Sequence, residues 1–186
     1  DVCSSDLQAQ GLRQDALAAC RTFAAQLAPA PFPSRWDFVA WLFEVVLVPR
    51  VVTEPLLPFP LRTTVVGPTL REALAVRALD PRPTLWLCGR LVAEVPGASP
   101  LDADPVAALL EAQLARTPRD VATRQALARH FIGRAQDDAH HLHESLYLGD
   151  PQATRSRLLR CIELLGGDAP ELSEVARHEL ACVDAW

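Results

Sequence analysis

Apolar residues recur along much of this chain at the three- and four-residue spacing of an α-helix. Val121, Leu127, Ala128, Phe131 and Ile132 fall on one side of a helical wheel, as do Leu158, Ile162 and Leu165 further on. Near the end, Leu172, Val175, Ala176, Leu180 and Val183 form a third stripe, which Glu179 interrupts. A stripe of this kind is stable only when a neighbouring element covers it, so the pattern predicts an all-α protein of helices packed as hairpins.

Helix starts are marked by a side-chain acceptor placed before proline, which caps free N–H groups while Pro takes the first helical position. Asp104-Pro105, Thr117-Pro118 and Asp150-Pro151 have this form; Asp80-Pro81 shares it, although Pro81 could equally close the helix before it. Ser34 with Asp37, Thr69 with Glu72, and Thr117 with Asp120 have capping-box spacing. Gly149 and Gly166-Gly167 stand where C-terminal caps belong. The predicted helices run over 8–28, 35–48, 70–79, 84–94, 105–116, 118–133, 136–148, 151–165 and 171–184. Between them, 49–67 reads as irregular, with Pro49, Pro55, Pro58 and Pro60 and a short candidate strand at Thr63-Thr64-Val65-Val66.

A faint internal repeat adds a second level of order. Leu70-Arg71-Glu72-Ala73 through Arg77 matches Leu109-Leu110-Glu111-Ala112 through Arg116, and the spacing Pro68 to Pro81 recurs as Pro105 to Pro118. Between Ala107 and Leu142, residues Pro118, Leu127, Ala128, Phe131 and Gly133 fall near small, aromatic and turn positions. In these features the chain resembles a tetratricopeptide-type α-solenoid, mainly over residues 105–165. Gly133 arrives about two residues early for the family, and Thr123 or Arg124 stands where the family has an aromatic residue. The resemblance implies antiparallel hairpins stacked as a short repeat and a protein partner, and it transfers no catalytic residues.

Composition narrows the class. With 186 residues, 49% apolar and 22% charged, the chain fits one globular domain over 8–186, its N-terminal helices and Pro-rich segment at 8–67 and its repeat part at 68–186. Lys, Asn and Met are absent and all 18 basic side chains are Arg, which reads as coding bias. The opening Asp1–Leu7, DVCSSDL, looks like the translation of a sequencing-adapter end, so residues 1–7 are expected to be non-native and the chain a fragment. Net charge is −5, unevenly spread: Gln8 to Leu101 carries nine Arg and seven acids, Asp102 to Trp186 nine Arg and 14 acids. No basic stripe interleaves with aromatics, so a nucleic-acid partner is not expected. The apolar run Phe38 to Val48 is broken by Glu44 and too short to span a bilayer, so no membrane association is expected. Cys20, Cys88, Cys161 and Cys182 are widely spaced, with no C-x-x-C pair, which points to free thiols and a cytoplasmic setting.

Candidate chemistry gathers in Asp137-Asp138-Ala139-His140-His141-Leu142-His143-Glu144. On a helix Asp137, His140, His141 and Glu144 share one face, and imidazole with carboxylate is a ligand set for a divalent metal such as zinc, iron or manganese. The same spacing describes a solvated polar face opposite Ala135, Ala139, Leu142 and Leu146. Neither the H-E-x-x-H order of zincins nor the E-x-x-H order of di-iron bundles is present. Cys88, between apolar neighbours, is a candidate nucleophile or a buried structural thiol. Trp36 and Trp41 bracket Phe38 as core or as binding surface, and Glu54 to Leu61 reads as a lid across the helices or a segment offered to a partner. The chain thus supports three readings: a helical-repeat protein-interaction module, a metal-dependent helical enzyme or metal-binding domain using the Asp137 face, or a purely structural piece of a larger protein.

Overall fold

The computed structural model describes residues 2–47, 57–89, 104–139 and 147–186, with side chains from Gln14 onward, Val46 excepted. Every regular element among the described residues is helical and no strand occurs. The chain divides into two compact units, Asp1–Pro96 and Gly97–Trp186.

In the first unit, α1 (Val2–Leu27) is followed by α2 (Phe32–Trp41), which runs on into a π-helical stretch, Leu42–Leu47. A single turn, α3 (Phe59–Leu61), leads through a second π-helical stretch (Arg62–Val66) into α4 (Gly67–Val76), and α5 (Arg82–Cys88) completes the unit. The strand expected at Thr63–Val66 is therefore helical instead. Val65 and Val66 are fully buried, and Thr63 returns its hydroxyl to the Phe59 carbonyl at 2.9 Å, so packing overrides the β preference of the branched residues. The widened turn also lies directly before Pro68, whose ring and missing N–H do not fit a regular helical interior. One extra residue per turn relieves that conflict.

The second unit holds α6 (Pro105–Arg116), α7 (Val121–Ala139), α8 (Pro151–Leu165) and α9 (Pro170–Ala185). The helices expected at 118–133 and 136–148 join across Gly133: α7 is continuous to Ala139, and 140–146 lie outside the described residues. Gly133 has open space around its Cα, and Arg134, Ala135 and Gln136 are good helix formers, so nothing local breaks the helix. Its apolar stripe is buried at Leu127, Ala128, Phe131, Ile132 and Ala135, while Val121 at its start is exposed. On α8 the buried set is Leu158, Cys161, Leu164 and Leu165. On α9 it centres on Ser173, Ala176 and Val183, which leaves Val175 outside the stripe.

Four junctions close in the same way. The N–H of Ala30 donates to the Leu27 carbonyl (3.0 Å), Asp80 to Arg77 (2.8 Å), Asp120 to Thr117 (3.0 Å) and Asp168 to Leu165 (2.9 Å). Each time the next helix begins within two residues. At two junctions the turn ends on an aspartate whose carboxylate accepts an amide at the start of the next helix: Asp80 accepts from the Arg82 amide (3.1 Å) and Asp120 from the Thr123 amide (2.8 Å). The cap of α7 is thus Asp120, not Thr117, whose hydroxyl turns back to the Gln113 carbonyl at 3.0 Å. Asp104 and Asp150 cap α6 and α8 as the sequence suggests, accepting from Ala107 (3.0 Å) and Gln152 (2.9 Å). The Ser34 and Thr69 boxes do not form. Helix α2 starts at Phe32 with no side-chain cap, and α4 grows out of the preceding turn. Thr69 and Glu72 instead receive Arg35 from α2, at 3.4 and 2.6 Å.

Where the family resemblance puts an aromatic residue, Arg124 reaches the end of α8. It donates to the Leu164 carbonyl (3.4 Å) and pairs with Asp168 in the following turn (2.6 Å). A cation there complements the partial negative charge of a helix C-terminus. Gly166 closes α8 with φ of +50° and ψ of −121°, a conformation L side chains rarely adopt. Gly166→Ala is expected to lower stability by about 1–3 kcal/mol, read from urea denaturation. No helix among the described residues is long and apolar enough to cross a membrane.

Candidate binding surface

Helix α2 sends its two tryptophans to opposite fates. Trp36 is buried, 5% exposed, and stacks on Phe32 (ring centroids 6.3 Å apart) and Trp86 (5.6 Å); Trp86 in turn stacks on Phe43 at 4.7 Å. Two guanidinium groups lie over the Trp36 ring, Arg77 at 4.7 Å and Arg82 at 5.5 Å. Both are held by carboxylates: Arg77 pairs with Asp80 (3.2 Å), and Arg82 with Asp80 (2.8 Å) and Glu44 (2.6 Å). The Arg82 side chain is the main cause holding the Asp80 carboxyl below its usual 3.8. Partial burial works against it, while the Arg82 amide and charge and the Arg77 bond add to it. Asp80 in turn pushes the Arg82 pKa up.

A lowered carboxyl pKa stabilises the folded state above the unfolded value, and that stability is lost as pH falls through the folded value. Asp80→Asn should therefore be less stable than the parent at neutral pH, with the gap closing in acid below 3.8. Chemical denaturation of both proteins across that window reads the effect.

Trp41 points the other way and is 51% exposed. It continues a row of rings: Phe23 on α1 meets Phe38 at 5.4 Å, and Phe38 meets Trp41 at 6.1 Å. Phe23 is 44% and Val45, one turn beyond Trp41, 59% exposed. Aromatic side chains half in water and in mutual contact form an apolar patch with specific shape. The sequence brackets Phe38 with both tryptophans; the structure assigns Trp36 to the core and Trp41 to the surface.

The metal-capable face fares differently. Asp137 is exposed on α7, whereas His140, His141 and Glu144 lie outside the described residues, as does His143. Among the described residues no group of three or more His, Cys, Asp or Glu is arranged to hold a metal ion. Asp138, next to Asp137, accepts from the buried Thr154 hydroxyl (3.1 Å), and the Leu148 amide donates to its carbonyl (3.0 Å). A side chain at Gly149 would meet the Asp138 carboxylate, which would have to move aside and give up its place beside Thr154. His130 pairs with Asp104 at 2.6 Å, joining the cap of α6 to α7. Burial raises the Asp104 carboxyl, but the Ala107 amide, His130 and Arg134 outweigh it, and the net shift is downward.

Cys161 is fully buried and burial pushes its thiol up to about 12, which suppresses thiolate reactivity. Cys88 is half-buried at the end of α5. In the Pro-rich segment Leu57 and Leu61 are buried and Phe59 is 63% exposed, while 48–56 lie outside the described residues. A shallow groove of about 330 Å³ near the end of α9 is lined by Pro151, Gln152, Arg155, Val183, Asp184 and Trp186, with Arg155 already tied to Asp184 at 2.8 Å.

Sequence reasoning misses the Arg77, Asp80, Arg82 and Glu44 network. Its one visible signal is the Arg77-x-x-Asp80-x-Arg82 spacing across a turn; the participation of Glu44, 38 residues earlier, leaves no local mark. No protein-family model, curated protein or solved structure matches this chain.

Proposed function

We propose that this protein is a helical-repeat interaction module whose partner is another protein, bound on the aromatic row Phe23, Phe38 and Trp41 with Val45 beside it. The observation that carries this reading is the exposure of Trp41 and its ring-to-ring continuity with Phe38 and Phe23. Tryptophan and its aromatic neighbours dominate binding energy at protein interfaces, and a ring that ought to be covered but is half in water suits that role. The repeated closure of four helix junctions supports a tandem of antiparallel hairpins of tetratricopeptide type, a scaffold whose ordinary work is to present such faces. Free thiols at Cys20, Cys88, Cys161 and Cys182 support operation in a reducing compartment such as the cytoplasm.

The test is selection from a displayed library of helical peptides on the immobilised chain, with calorimetry on the ligands recovered. Binding should be lost in Trp41→Ser, with a cooperative urea transition confirming that the variant still folds. Ligands that bind the parent and Trp41→Ser equally well would rule out the aromatic row as the docking surface.

A further inference from the structure

We infer that the exposed ring of Trp41 is a seat for an arginine carried on an apolar helix of the partner protein, an inference that rests on the aromatic row being the docking surface. The molecule displays this pairing on the same helix. Trp36, about one and a half turns earlier, is roofed by Arg77 and Arg82, which are positioned by the carboxylates of Asp80 and Glu44. Trp41 offers the same kind of ring, with carboxylates at helical spacing on either side of it. Asp37 stands one turn before it and Glu44 one turn after it, both exposed. Among the described residues no arginine lies over the Trp41 ring.

The chemistry selects the occupant. A guanidinium lies flat on an indole face and still directs its N–H groups sideways, where Asp37 and the outer edge of Glu44 can accept them. Glu44 already receives Arg82 at 2.6 Å, but a carboxylate has acceptor sites for more than one donor. Phe38, Phe23 and Val45 take the aliphatic side chains beside the arginine. An acidic partner helix would instead bring like charge against the exposed Asp37, which disfavours it.

The experiment uses one amphipathic helical peptide with a leucine face and a single central arginine, compared with the same peptide carrying citrulline or glutamate there. Each is titrated calorimetrically into the whole chain. The arginine peptide should bind about tenfold more tightly than the citrulline peptide, and the glutamate peptide weakest of the three. That preference should shrink in Asp37→Asn and at high salt, and vanish in Trp41→Leu, with unfolding midpoints confirming that both variants fold. Equal binding of arginine and citrulline peptides overturns the inference and leaves the docking surface standing. Binding of no peptide by a folded chain overturns both. Concentration-dependent self-association that Trp41→Ser abolishes would make a second copy the occupant, and likewise overturns it.

Discussion

Trp36→Ala should destabilise the protein by about 3–5 kcal/mol, the range for deleting a large buried aromatic side chain. The ring is 5% exposed and stacked against Phe32 and Trp86, and its removal leaves a void that α2 and α5 can close only by shifting. Arg77 and Arg82 would lose the face they lie on while remaining tied to Asp80 and Glu44, so the ion pairs would hold them over an empty space. Urea denaturation gives the magnitude. Trp41→Ala on the same helix is the internal comparison, because its half-exposed ring removes little from the core. A loss of similar size in both variants would contradict the assignment of the two rings to opposite environments.

Leu158→Ala is the second large effect, expected at about 2–5 kcal/mol. The side chain is fully buried on α8, which packs against both α7 and α9, so its cavity would open in the middle of the second unit. Its neighbour Leu159 is 43% exposed, and Leu159→Ala should cost much less. The contrast between adjacent leucines tests the rotational setting of α8. A reversed order would require the helix to be turned by about 100°, one residue's step.

That rotational setting is legible in the chain, because Leu158, Ile162 and Leu165 recur at helical spacing and helical spacing survives packing. The caps Asp104 and Asp150 are legible for a related reason: an acceptor followed by proline satisfies N–H groups within its own turn, and no distant residue is consulted. Thr63–Val66 reads as strand because its β-branched side chains carry a local preference, which burial of Val65 and Val66 reverses. Gly133 reads as a helix end because glycine weakens a helix, yet it does not force one to stop. At the candidate surface, the division between Trp36 and Trp41 depends on which ring meets Trp86, which lies outside α2 and is itself stacked on Phe43. Spacing within α2 identifies two rings on different sides and is silent on which side is covered.

The four junctions have a kinetic consequence. Each links helices adjacent in the chain through a bond spanning three residues, so the first contacts a hairpin makes need little search and close only short loops. Folding dominated by near-neighbour pairing is fast. Stopped-flow refolding of the second unit's core, followed by helical circular dichroism, should therefore be largely finished within milliseconds.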